Sequence, residues 1–147
     1  MPSKKTDRQD RLTTSDYAKL AAFRHALRAY VHFSDAAAAE VGLTGPHYQA
    51  MLVLRGWQHD APVTISELAR QLFIKHHSAV GLVDRLAAEG LMVREPSSVD
   101  RRKVELRLTP RGLELLAMLA DKHRDELRRI GPALGGFFGE LTGQGGS

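Results

Sequence analysis

The sequence predicts a mainly α chain carrying one small β hairpin. Three observations predict it. Apolar residues recur at helical spacing along most of the 147-residue chain. Two short helical segments, Thr64 to Leu72 and His76 to Glu89, are parted only by Phe73 to Lys75. Soon after them the period falls to two, with Val104, Leu106 and Leu108 alternating with Glu105 and Arg107.

The first helix is expected from Ser15, read as its N-cap with Asp16 in the first turn, through Leu20, Phe23, Leu27, Tyr30 and Val31 to a stop at Gly42. Its length suggests that it packs against more than its own subunit. Thr44-Gly45-Pro46 opens a second helix running to about Gly56, with Met51, Leu52 and Leu54 on its apolar side. A loop follows to Pro62, and Val63 to Ile65 is a candidate short strand. Thr64 with Glu67 three residues on is a capping box for the third helix. The fourth helix turns Ala79, Leu82, Val83 and Leu86 inward and stops at Gly90. Leu91 to Arg94 and Val104 to Leu108 are the hairpin strands, joined by a polar tip. Thr109-Pro110 starts the last long helix, which Gly131-Pro132 should end or kink. Leu134, Phe137, Phe138 and Leu141 then form a further short helix.

Two short helices joined by a tight turn form a helix-turn-helix, and a hairpin directly after it is a wing. The fold class is therefore mainly α with a small β wing, a winged helix-turn-helix lobe flanked by N- and C-terminal helices.

Composition narrows the partners. The net charge is +4 with a pI of about 9.7, which suits a nucleic acid, an anionic membrane surface or an unremarkably alkaline protein. There is no cysteine, so disulfides, cysteine-ligated zinc and thiol switches are excluded. No apolar run reaches the roughly 18 residues of a membrane span, and the polar Met1 to Thr14 lacks the apolar core of a signal peptide. A cytoplasmic protein with no membrane partner is expected.

Duplex DNA asks for a helix that fits the major groove and for cations that neutralise phosphates. The fourth helix begins Lys75-His76-His77-Ser78, with Gly81 one turn on and Arg85 beyond it. Gly81 lets backbone and bases approach closely, at roughly 1 kcal/mol of helix stability. From Arg94 to Arg111 six cations, among them Arg101, Arg102 and Lys103, face three anions. An arginine on a thin wing can enter the narrow minor groove, and Asp100 can hold its guanidinium in a fixed direction.

Val63 to Leu72, Ser78-Ala79-Val80, Leu82-Val83-Asp84-Arg85-Leu86, Glu89-Gly90-Leu91, Asp100-Arg101-Arg102 and Leu106 to Gly112 together resemble the core of the MarR family. The resemblance covers about Leu43 to Leu116 by motif and nearly the whole chain by order of elements. It implies a homodimer with interlocking first and last helices, a recognition helix from His76, and Arg102 entering the minor groove supported by Asp100 and Arg101. The implied organisation is a flexible basic tail (1–14), a dimerisation helix (15–42), a DNA-binding lobe (43–109), C-terminal dimerisation helices (110–142) and a second flexible tail (143–147). It also implies a small-molecule cleft, bordered here by Arg24, Arg28, His47 and Trp57. Three positions depart from the family pattern: Lys75 replaces a capping residue, His77 a serine or glycine, and Gly81 a larger or polar residue. The absence of cysteine removes the peroxide-sensing mode that some members use.

The resulting expectation is a ligand-responsive transcriptional regulator, a repressor, bound to double-stranded DNA as a homodimer, with no cofactor and no metal. The seven histidines show no zinc-binding i, i+4 pair, which leaves only a site drawn from separate helices, such as His25, His47 and His123. The residues of Asp84, His76, His77 and Ser78 cannot converge from one helix into a hydrolytic triad, and no nucleophile elbow or phosphate loop is present, so no enzyme is expected. A winged protein-interaction adaptor is the alternative, and the basic wing argues against it.

Overall fold

The computed structural model describes residues 11–143. The tails expected at 1–14 and 143–147 lie largely outside them. The described residues form five helices and one two-stranded sheet: α1 (Thr14–Ala39), α2 (Gly45–Arg55), α3 (Ile65–Leu72), α4 (His76–Ala88), β1 (Met92–Pro96), β2 (Val104–Leu108) and α5 (Pro110–Thr142). The mainly α class with a β wing therefore stands. No described helix is long and apolar enough to cross a membrane.

The chain divides into two compact units, residues 33–124 and the described parts of 1–32 with 125–147. The larger unit holds the core. Ala38, Ala50, Met51, Leu68, Ala79, Val83, Leu86, Leu91, Met92 and Leu119 are all fully buried there, each large one contributing about 1.5–3 kcal/mol. Buried polarity is satisfied. The His123 ring stacks on Tyr48 with centroids 4.0 Å apart. Its Nδ1 lies 2.7 Å from the Leu119 carbonyl and its Nε2 2.9 Å from Ser34 Oγ. A carbonyl only accepts, so Nδ1 donates and Nε2 takes the Ser34 hydroxyl proton.

Three helices end in the same turn. Leu43, Ile74 and Leu91 each donate their amide to a carbonyl five residues back, those of Ala38, Ala69 and Leu86, at 2.9–3.0 Å. This turn places the preceding residue in the left-handed region. Gly42 (φ 76°) and Gly90 (φ 72°) take it freely, but the third position is Phe73, at φ 55°. A side chain there costs about 1–2 kcal/mol.

β1 and β2 pair antiparallel, Met92 opposite Leu108 and Pro96 opposite Val104. The expected strand at Val63 to Ile65 shrinks to one bridge, Thr64 to Glu105, with the Leu106 amide donating to the Val63 carbonyl at 2.8 Å. This third strand-like partner covers Glu105, so Glu105 and Leu106 are both buried where alternation predicted one.

Other expectations are corrected. Thr13, not Ser15, caps α1: its amide and hydroxyl donate to Asp16 Oδ2 at 2.8 and 3.0 Å, and the Asp16 amide donates to its Oγ1 at 3.2 Å. Only Thr13 stands three residues before a side chain able to reach back. On α2, Leu52 is exposed while Tyr48 and Ala50 are buried with Met51. Thr64 accepts from the Glu67 amide at 3.2 Å, but the Glu67 carboxylate closes no box and takes Arg70 instead. Finally, α5 runs unbroken through Pro132. Pro132 and Arg128, whose carbonyl loses its donor, are both exposed, so water can replace the missing bond. The separate helix expected at Leu134 to Leu141 is the end of α5.

Gly112 explains the start of α5. It is buried, and a Cβ there would overlap the Leu91 carbonyl oxygen. Gly112→Ala should destabilise the fold by about 3 kcal/mol, the upper end of overpacking costs, measured as a fall in the urea midpoint. An unchanged midpoint would show that this packing is looser than described.

Candidate nucleic-acid interface

The wing tip is built on Ser97. Its buried hydroxyl accepts the amides of Val99 and Asp100, both at 3.2 Å, while Ser97 and Lys103 close the turn through the Ser97 amide to the Lys103 carbonyl at 3.0 Å. Asp100 is thereby positioned to take three bonds from Arg102: the amide and Nε at 3.1 Å on Oδ1, and Nη2 at 3.4 Å on Oδ2. These bonds from Arg102 hold the Asp100 carboxyl below its ordinary pKa, so it stays anionic. The Arg102 side chain is nonetheless 91% exposed. It is a cation with a set direction and an open face. Arg101 and Lys103 beside it are exposed, and no ion pair among the described residues engages them.

The remaining wing cations serve the fold. Arg94 pairs with Asp84 of α4 at 2.5 Å, and Arg107 with Glu95 across the hairpin at 3.6 Å. Arg111 Nη1 donates to the Glu89 carbonyl at 3.0 Å. Sequence reasoning missed Ser97 and the Arg94–Asp84 tie. A serine after proline in a polar turn was a signal for the first; nothing local announces the second.

On α4, Lys75, His76, His77, Ser78 and Gly81 are all exposed. The N-cap Lys75 offers no side-chain acceptor, so the first amides of α4 face solvent or an anion. Nothing lies within 4 Å of a Cβ built on Gly81; the fold does not require glycine there. Arg85 is placed differently from the others. Its Nη2 donates to the Gly42 carbonyl at 3.1 Å and its Nε to Glu89 at 3.2 Å, which turns the guanidinium back onto the lobe.

The cleft candidates fall in both units. Arg24 and Arg28 are exposed on α1. His47 is buried, and its Nδ1 accepts the Thr44 amide at 3.0 Å and sits 2.7 Å from Thr44 Oγ1. From the third position of α2 it closes a capping box with the N-cap Thr44. Trp57 is half-buried, its Nε1 donating to the Ala61 carbonyl at 3.0 Å. It borders a cavity of about 470 Å³ shared with Arg55, His59, Val63, Arg107 and Leu113. Both His123 nitrogens and His47 Nδ1 are already engaged within the larger unit. No group of three potential metal ligands occurs among the described residues.

Burial, then the charge of Arg85, lowers the His47 pKa below its ordinary 6.5. The native state thus binds fewer protons than the unfolded chain as pH falls into this range. Stability present above pH 6.5 should decline as pH falls through the window between 6.5 and the lowered native value. Urea titrations from pH 7.5 to 5 should show this decline, and His47→Gln, which keeps a capping side chain at that position, should lessen it. An identical slope in the variant would place the effect elsewhere.

Three comparisons bear on this geometry. The MarR family model matches residues 41–103. An organic hydroperoxide resistance transcriptional regulator of Bacillus subtilis is 30% identical over 86 residues, which span 58% of this chain and 54% of that protein. Among solved structures, AbsC, a MarR family transcriptional regulator from Streptomyces coelicolor, superposes with a TM-score of 0.69 at 24% identity over 81% of this chain and 80% of its own. A MepR variant of Staphylococcus aureus bound to an oligodeoxyribonucleotide gives a TM-score of 0.62 at 18% identity, over 82% of this chain and 83% of that one.

Proposed function

We propose that the chain, whose residues 41–103 match the MarR family model, is a sequence-specific double-stranded DNA-binding transcriptional regulator, a repressor. One observation carries the reading: Arg102 is held by Asp100 in three bonds yet remains 91% exposed. Orienting an arginine that the fold does not need suits an external anion, and a thin hairpin suits the minor groove. Lys75, His76, His77, Ser78 and Gly81 at the start of α4 read the major groove, and Arg101 and Lys103 neutralise phosphates. Arg85 has the smaller part, since its guanidinium already has two partners.

The acting species is a homodimer on a pseudo-palindromic site, its recognition helices about one DNA turn, roughly 34 Å, apart. Support comes from the smaller unit. None of its described residues is buried, and Tyr17, Leu20, Leu27 and Val31 of α1 and Leu127 of α5 are exposed. Such an apolar seam is stable when a second copy covers it. Leu27→Glu should shift sedimentation from dimer to monomer. A dimer that persists unaltered would remove this seam from the interface.

A small aromatic or phenolic effector releases the DNA by binding better to a lobe spacing that does not fit it. The cavity beside Trp57 is the chain's own support for a ligand. Its 147 residues hold no cysteine, so this response is not thiol oxidation. The protein works in the cytoplasm, where its DNA lies.

Fluorescence anisotropy with duplex from the DNA upstream of its own gene, against a scrambled duplex, at two salt concentrations tests the reading. Preference for the first duplex, with affinity falling steeply as salt rises, is expected. Arg102→Ala should weaken binding by about 1–3 kcal/mol. Equal affinities for parent and variant would overturn the wing assignment. Weak, equal and salt-insensitive binding of both duplexes would overturn the DNA reading itself.

A further inference from the structure

Phe73 is out of place in two independent ways. It occupies the left-handed turn position that the same chain fills with glycine at Gly42 and Gly90. The residue is also 96% exposed. The backbone of this turn does structural work, because the Ile74 amide bonds the Ala69 carbonyl and α3 ends there. The side chain does none, since it has almost no surface against the lobe. A strained, solvated aromatic on a small domain points to a contact made outside it.

Its surroundings indicate the partner. The ring stands at the junction of α3 and α4, two residues before Lys75 and three after Arg70, and the exposed His76 and His77 follow. Arg70 is paired with Glu67, but Lys75 is exposed and in no ion pair among the described residues, so an apolar protein surface would meet that cation at a desolvation cost. A polyanion with apolar edges would not, and duplex DNA presents the C–H faces of its sugars between phosphates. Phe73 lies in the turn and not on the groove-reading helix, so a sugar contact fits better than a base contact.

We propose that Phe73 is a DNA-positioning residue whose ring packs against a deoxyribose of the backbone beside the major groove. This rests on the DNA-binding reading above. The contact is independent of sequence and displaces no counterion.

The test compares the full-length protein with Phe73→Gly, Phe73→Asn and Phe73→Tyr on the native and scrambled duplexes over a salt series, with a melting curve for each. Glycine relieves the left-handed strain and asparagine tolerates it, so both variants should melt at or above the parent temperature. Both should bind each duplex about tenfold more weakly, matching half of a full aromatic burial. The slope of log affinity against log salt should stay constant, because no cation is removed. Tyrosine should restore parent affinity. Unchanged affinity in the glycine and asparagine variants overturns the proposal. So does a loss confined to the native duplex, which would make Phe73 a base reader, or a changed salt slope, which would mean that it acts by placing the neighbouring cations. A change in sedimentation would put the ring against a second copy and overturn it too. If the parent protein itself fails to bind either duplex, the DNA reading fails and this inference falls with it; failure of the variants alone to differ leaves that reading standing.

Discussion

Three consecutive carbonyls, of Glu89, Gly90 and Leu91, hold the winged lobe in register. They follow the last turn of α4, where backbone acceptors have no helical partner. One four-residue turn covers all three. Arg111 donates to Glu89 at 3.0 Å, the Thr109 hydroxyl to Gly90 at 2.6 Å and the Thr109 amide to Leu91 at 3.1 Å. The Gly112 amide in turn donates to Thr109 Oγ1 at 3.0 Å, and the missing side chain of Gly112 lets α5 start against Leu91. The end of α4, the exit of β2 and the entry of α5 are thus one junction. A two-stranded hairpin is marginal by itself. The wing keeps its place because this junction anchors one end and the Arg94–Asp84 pair ties β1 to α4.

The elements were legible in the sequence because their signals are local. The helical period, the Thr109-Pro110 start and the glycine stops at Gly42 and Gly90 all act within a turn or two. The observed α4 and β2 fall within a residue of where these signals put them. Failures came where a distant group decided the outcome. Alternation could not reveal that Thr64 bridges Glu105 and covers it. Periodicity could not rank Leu52 against Tyr48, because the ring of His123, far along the chain, makes Tyr48 an inner residue. Pro132 failed as a stop because a helix-breaking rule assumes a carbonyl with nowhere else to bond, and here that carbonyl is near solvent.

The site was legible as a set of charges and illegible as a set of pairings. From Arg94 to Arg111 the sequence offers six cations without distinguishing them. Partners divide them by where the anion or carbonyl sits. Arg94 and Arg111 reach α4 and its end, and Arg107 crosses the hairpin to Glu95. Their energy of interaction goes into fixing one element against another. Arg102 is different, because its partner Asp100 is two residues away on the same turn. A pair so local joins no two elements; it sets only the direction of the side chain.

The same division applies on α4. Arg85 and Ser78 both looked like groove-facing residues from their spacing, but Arg85 reaches the Gly42 carbonyl, a contact that joins α4 to the turn after α1. A residue that ties elements together cannot also be fully available to an external ligand without loosening the lobe that presents it. Of the candidate contact residues, one with a distant partner therefore serves the fold first, and one with a local partner or none keeps its polar face for an external ligand. Among the residues proposed to meet DNA, this criterion retains the exposed start of α4 and the wing tip from Asp100 to Lys103. The core residues Ala79, Val83 and Leu86 and the Thr109–Gly112 junction supply the rigidity that lets so small a surface keep its shape.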